Sequence, residues 1–123
     1  MRKAAFERMV GEILDELPEE FARRIENVEF LVEPRPSFQD LKGLGVARDE
    51  LLIGLYQGTA LPLRSPTSYA GTLPDQIVIF QKNVEEEAGR PGRIRDVLRT
   101  TILHEIGHYF GLSEKRLREL GVD

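Results

Sequence analysis

Residues 104–114, with the sequence HEIGHYFGLSE, largely decide which fold is expected for this chain. They follow the pattern H-E-x-x-H-x-x-G-x-x-E and contain both of the chain's 2 histidines. On a helix, His104 and His108 lie on the same face, one turn apart. Their imidazole nitrogens can therefore reach a single metal ion, and zinc suits such ligands well. An H-E-x-x-H pattern also arises by chance on ordinary helices, so the rest of the segment matters.

Two acidic residues complete the predicted site. Glu105 lies about 100° around the helix from His104, where it can accept a proton from a metal-bound water. A catalytic zinc usually has three protein ligands. Gly111 predicts a sharp turn at the end of the helix, after which Glu114 can fold back towards the metal. We therefore predict that His104, His108 and Glu114 bind zinc and that Glu105 is the catalytic base.

The helix that carries this motif also has a distinct apolar side. Its apolar residues recur at helical spacing on a side roughly opposite the two histidines, with Leu103 at the flank. This spacing predicts that the helix buries one side in the core and leaves the histidines on another surface. The residues of the apolar side are Leu98, Ile102, Ile106, Tyr109 and Phe110.

Outside the motif, the pattern of apolar residues, Gly and Pro predicts alternating helices and strands. Loops are expected over 34–50 and 64–75. A turn at Gln57-Gly58 would allow 59–63 to return as a hairpin arm. Predicted helices cover 3–16, a short segment after Pro18, 94–110 and 114–120, and predicted strands cover 28–33, 51–56 and 76–80.

Composition excludes several classes of protein. The chain has 123 residues, of which 41% are hydrophobic and 31% charged, so we expect one globular domain over residues 1–123. A net charge of −4 argues against nucleic-acid binding, and the absence of cysteine excludes thiolate metal sites. We see neither a signal peptide nor a membrane span in the sequence, and we expect a cytoplasmic protein.

At the motif the sequence resembles the zincin metallopeptidases, with a metzincin-type signature, and it is most similar to small bacterial minimal zincins. Weaker similarity extends over 54–58, 73–77 and 100–103. The resemblance implies an α+β, zincin-like fold, in which a small mixed β-sheet packs with N-terminal helices and a C-terminal active-site helix. It also implies a zinc cofactor, a peptide or protein substrate, and a last strand near the substrate cleft.

Two features differ from the usual zincin pattern. The family has Asp or His at the position of Glu114, whose side chain is one methylene longer than that of Asp. No methionine follows the motif, so the methionine turn of large metzincins is not expected.

These features leave two functions open. One is a zinc-dependent peptidase, and the other is a catalytically weak or inactive zincin-fold binding module. For the peptidase, a substrate strand could add along Gln76–Phe80. Tyr56 or Tyr69 could stabilise the oxyanion, although each is equally well explained as a packing residue.

Overall fold

The computed structural model describes residues 1–22, 25, 27–44, 51–58 and 75–119. None of the helices in these ranges has the length and apolar character needed to cross a membrane. In chain order the elements are α1 (Lys3–Asp15), α2 (Glu19–Ala22), β1 (Val28–Glu33), α3 (Phe38–Leu44), β2 (Gly54–Gln57), β3 (Asp75–Phe80), α4 (Gln81–Ala88), a 3-10 turn (Pro91–Arg93), α5 (Ile94–Tyr109) and α6 (Glu114–Glu119). The fold is thus α+β, as the sequence predicted.

The strands form a mixed sheet, in which the described residues have the order β1-β3-β2. β1 pairs with β3 in parallel, and β2 pairs with β3 antiparallel, with Gly54 opposite Ile79. β3 therefore lies between two strands, and its backbone hydrogen-bonding groups are used on both edges. The expectation that a peptide adds along Gln76–Phe80 is wrong, because an added strand needs an open edge. Both β2 and β3 pack on α5, and the contact of β2 with this helix is the more extensive.

The core lies between the sheet and helices α1, α4 and α5. On α1 the buried residues recur every three or four positions, which is the spacing of a single helix face. On α5 the predicted apolar side is confirmed, since four of its residues are buried and Phe110 is half-buried against the core. Core residues with no more than 1% exposure include Phe6, Ile13, Ile77, Ile79, Val84, Leu98 and Ile102.

One helix was missed in the segment predicted to be a loop. Residues 38–44 form α3, which begins at a reciprocal cap. The backbone N–H of Ser37 donates to Asp40 Oδ2 at 2.9 Å, and the backbone N–H of Asp40 donates to Ser37 Oγ at 3.1 Å. This is a capping box with Asp at its last position. The S-x-x-D pattern was visible in the sequence, and the prolines before it obscured the signal.

Helix α4 was also not predicted, and the remaining differences concern element boundaries. The strand predicted over 51–56 starts later in the structure, because β2 begins at Gly54. The predicted hairpin arm 59–63 lies outside the described residues.

A network of ion pairs joins the exposed sides of α1 and α5. Arg95 contacts Glu12 and Glu16 at 3.0 Å each, and Arg99 contacts Glu16 at 3.1 Å. Hydrogen bonds from Arg95 and then Arg99 lower the pKa of the Glu16 carboxyl below its ordinary value. These basic residues therefore lie on a solvated helix face, where they help to orient α5 against α1.

Candidate metal centre

The metal-site candidates lie on the last turns of α5, and the end of this helix is well defined. Gly111 has a φ of 83°, in the left-handed region that glycine adopts readily. Its N–H donates to the carbonyl of His108, and the N–H of Leu112 donates to the carbonyl of Gly107, both at 2.9 Å. This pair of bonds is a Schellman motif, which ends the helix and redirects the chain. The turn predicted at Gly111 is confirmed.

His104 and His108 lie side by side with their Nε2 atoms facing each other. These atoms are 3.1 Å apart, and the ring centroids are 4.7 Å apart at an interplanar angle of 78°. Two nitrogens bound to the same tetrahedral zinc ion, each at about 2.0–2.1 Å from it, would be about 3.3 Å apart. The observed separation is within a few tenths of an ångström of that value. The two imidazoles therefore fit a shared zinc ion with little movement.

Glu105 points into the same region from the neighbouring position on the helix. Its side chain is buried, and its Oε2 lies 3.9 Å from His104 Nε2. A single water molecule can bridge two polar groups at this distance. Ligand atoms of His104, Glu105 and His108 all lie within 4.8 Å of one another. The three residues thus form a group able to hold a divalent metal with a carboxylate beside it.

Glu114 is the first residue of α6, which starts just after the turn at Gly111. Ser113 caps this helix by accepting a hydrogen bond from the N–H of Arg116 at 3.1 Å. The side chain of Glu114 lies outside the described part of the structure. Its assignment as the third ligand stays a prediction.

A pocket of about 370 Å³ opens beside the site. One wall is the segment Leu51–Gly54, and the other is the face of α5 that carries Val97, Thr101 and His104. Glu105 also contributes to its lining. The pocket therefore runs from the candidate metal position along α5 towards the start of the helix.

Gly54 brings β2 unusually close to Glu105. A methyl carbon placed on Gly54 would lie 2.8 Å from Thr101 Cγ2 and 3.1 Å from Glu105 Cγ. No role was predicted for Gly54 from the sequence, although a glycine within a strand often marks close approach of another backbone or side chain. The signal was present, but its partner on α5 could not be read from it.

Tyr56, one of the two tyrosines considered for the oxyanion, contacts Asp75 and Tyr109. Its hydroxyl donates to Asp75 Oδ2 at 2.5 Å, and its ring meets Tyr109 edge-on at a centroid distance of 6.1 Å. Asp75 is 92% buried, since its exposed fraction is 8%. These contacts tie β2 to β3 and α5, so the packing interpretation of Tyr56 is favoured over the oxyanion interpretation. Tyr69 lies outside the described residues.

Comparison with known families agrees with the fold and the site. A model of the zincin-like metallopeptidase family matches residues 25–122, which include the whole motif and most of the chain. No curated protein matches the sequence significantly. The family implies a divalent metal, and the histidine pair with its adjacent carboxylate is the kind of group that holds one. On the extent of this match, the chain belongs to the zincin-like metallopeptidase family.

Proposed function

We propose that this protein is a zinc-dependent metallopeptidase, in which His104, His108 and Glu114 bind the metal and Glu105 is the general base. The observation that carries the proposal is the convergence of two facing imidazole nitrogens, 3.1 Å apart, with a buried carboxylate at the mouth of a pocket. A structural zinc site usually has four protein ligands and needs no neighbouring base. The arrangement therefore favours catalysis over a purely structural metal.

The two imidazole rings would bind the metal through defined nitrogen atoms. Each imidazole binds a metal through the lone pair of Nε2, so the ring proton of His104 and of His108 would be on Nδ1. Zinc bound there would polarise the scissile carbonyl and lower the pKa of a coordinated water towards about 7.

Glu105 has the position required of a general base. Its carboxylate is 3.9 Å from His104 Nε2 and is shielded from bulk solvent, with 6% exposure. From there it can accept the proton of the attacking water and later deliver it to the leaving amine. Because the side chain is packed, little reorganisation is needed before each transfer.

The pocket supports a peptide as the substrate. Leu52, Ile53 and Val97 form an apolar part of its walls, and it leads to His104 and Glu105. Charged groups are also present in the lining, at Glu87, Arg93 and Asp96. A side chain next to the scissile bond can occupy this space while the bond itself lies beside Glu105. The pocket thus offers a side-chain site that a small hydrolytic substrate such as an ester would not need.

The decisive test is a Glu105→Gln variant, compared with wild type in a cleavage assay on a library of quenched fluorescent peptides. We expect zinc content to be unchanged and kcat to fall by about 10²–10⁴-fold, since the base is lost. A Glu7→Gln variant, which makes the same change on the exposed side of α1, should keep full activity. Equal turnover in wild type and Glu105→Gln would refute the proposal. Zinc binding without cleavage by wild type would instead support a zincin-fold binding module.

A further inference from the structure

The sheet comes very close to the candidate base at Gly54. A methyl carbon there would be 2.8 Å from Thr101 Cγ2, 3.1 Å from Glu105 Cγ and 3.5 Å from Glu105 Cδ. Carbon atoms in favourable contact are about 3.5–4.0 Å apart. The distance to Thr101 Cγ2 is too short for any side chain, and the distance to Glu105 Cγ requires that side chain to shift by a few tenths of an ångström. Gly54 is therefore required for space.

The backbone conformation at position 54 does not explain why the residue there is a glycine. The glycines with positive φ in the described residues are Gly58, Gly89 and Gly111. Gly54 has the backbone of an ordinary strand residue, paired opposite Ile79 of β3. Any L-amino acid can adopt that conformation, so the contact with α5 is the physical reason for a glycine here.

Neither side of the contact can move easily to admit a methyl group. Thr101 is 3% exposed, and its hydroxyl donates to the carbonyl of Val97 at 2.8 Å, which fixes the side-chain torsion. β2 is fixed by the ladder with β3 and by the hydrogen bond from the N–H of Phe80 to the carbonyl of Ile53, at 3.1 Å. A methyl group on Gly54 would therefore be pushed away from Thr101 Cγ2 and towards the stem of Glu105, its other close neighbour.

We infer that Gly54 is a positioning residue for Glu105. The absence of a side chain on Gly54 leaves the space that Cγ and Cδ of Glu105 need, and so allows the carboxylate to lie beside His104. The inference rests on the proposed function in that Glu105 is the base. Gly54 also lines the pocket, but in this role it acts through the side chain of Glu105.

The test starts with Gly54→Ala, assayed on the peptide that wild type cleaves best. We expect kcat to fall at least about tenfold, because displacement of a catalytic group by about 1 Å can cost up to about 100-fold. Zinc content should stay near wild type, since the metal ligands stay in place, and the fall in kcat should exceed any rise in KM that comes from the methyl group on the pocket wall. Gly11→Ala is the matched control, because a methyl group there meets nothing within 4 Å. Its kcat should equal that of wild type.

A second-site change tests the steric cause. Thr101→Ser removes Cγ2, the atom nearest to the added methyl group, and retains the hydroxyl that bonds to Val97. In Gly54→Ala/Thr101→Ser the methyl group can settle towards Thr101 and away from Glu105. We expect this double variant to recover part of the lost kcat and to fold even if Gly54→Ala does not. The absence of any recovery in a folded double variant would overturn the inference.

Thermal unfolding tests the contact without any cleavage assay. Gly54→Ala should lower the unfolding midpoint more in wild type than in a Glu105→Ala background, where Cγ and Cδ are missing. An equal loss in both backgrounds would overturn the inference, as would full kcat in zinc-loaded Gly54→Ala. If wild type binds zinc but cleaves nothing, the peptidase proposal fails by itself. The comparison of unfolding midpoints then still decides whether Gly54 positions Glu105.

Discussion

Zinc should raise the temperature at which this protein unfolds, because the two imidazoles are brought together only in the folded chain. In the unfolded state, His104 and His108 have no fixed separation. In the structure, their Nε2 atoms are 3.1 Å apart on consecutive turns of α5. Binding that is restricted to the folded state stabilises it by mass action.

The size of this shift follows from the binding strength and the chain length. At free zinc 100-fold above its dissociation constant, stabilisation is about 2.7 kcal/mol. Unfolding entropy near 60 °C is about 2.1 cal/mol/K per residue, which gives about 0.26 kcal/mol/K for a chain of 123 residues. The ratio of these quantities predicts a rise in Tm of about 10 °C.

Differential scanning fluorimetry with buffered zinc measures the shift directly. Removal of zinc with a chelator should reverse it, and magnesium should not reproduce it, because Mg²⁺ prefers oxygen ligands in octahedral geometry. Both histidines are only half-buried, so His108→Ala should fold and should respond to zinc by less than about 2 °C. A full shift in His108→Ala, or none in wild type, would refute the two-histidine site.

Three other perturbations test separate parts of the molecule. Glu114→Ala should lower zinc affinity at least about tenfold in isothermal titration, as expected for the loss of a ligand. Glu119→Ala, which removes the other acidic side chain of α6, should bind zinc like wild type. Equal zinc affinities of Glu114→Ala and wild type would show that Glu114 is not a ligand. Val97→Phe fills the pocket beside His104 and should raise KM for peptides while zinc content stays constant, and an unchanged KM would place the substrate elsewhere. Glu16→Gln should lower Tm at pH 7 in low salt. The folded-state pKa of Glu16 lies below its ordinary value of 4.5, so the pairing of Glu16 with Arg95 stabilises the fold above that pH, and this stabilisation is lost as the pH falls below it. The difference in Tm between wild type and Glu16→Gln should therefore vanish in acid and in 1 M salt. A difference that persists under both conditions would argue against the ion pairs.

The sequence alone predicted the features that depend on neighbours along the chain. Helical periodicity set the buried side of α5 and the common face of His104 and His108, because residues four positions apart are always adjacent on a helix. Gly111 marked the turn at the end of α5, since glycine readily takes a positive φ. The family could be recognised for the same reason, as its signature lies within one continuous segment.

The tertiary structure decided which distant segments meet. Strand order cannot be read from periodicity, so β3 was expected at an open edge and lies instead between β1 and β2. The residues that contact Gly54 and Tyr56 could not be predicted either, because Thr101, Glu105 and Asp75 are remote from them in sequence. The physical reason is that backbone ladders and side-chain packing across elements depend on long-range register. A local pattern supplies the residues of the candidate metal site, and only the packing of β2 against α5 determines the surroundings of Glu105.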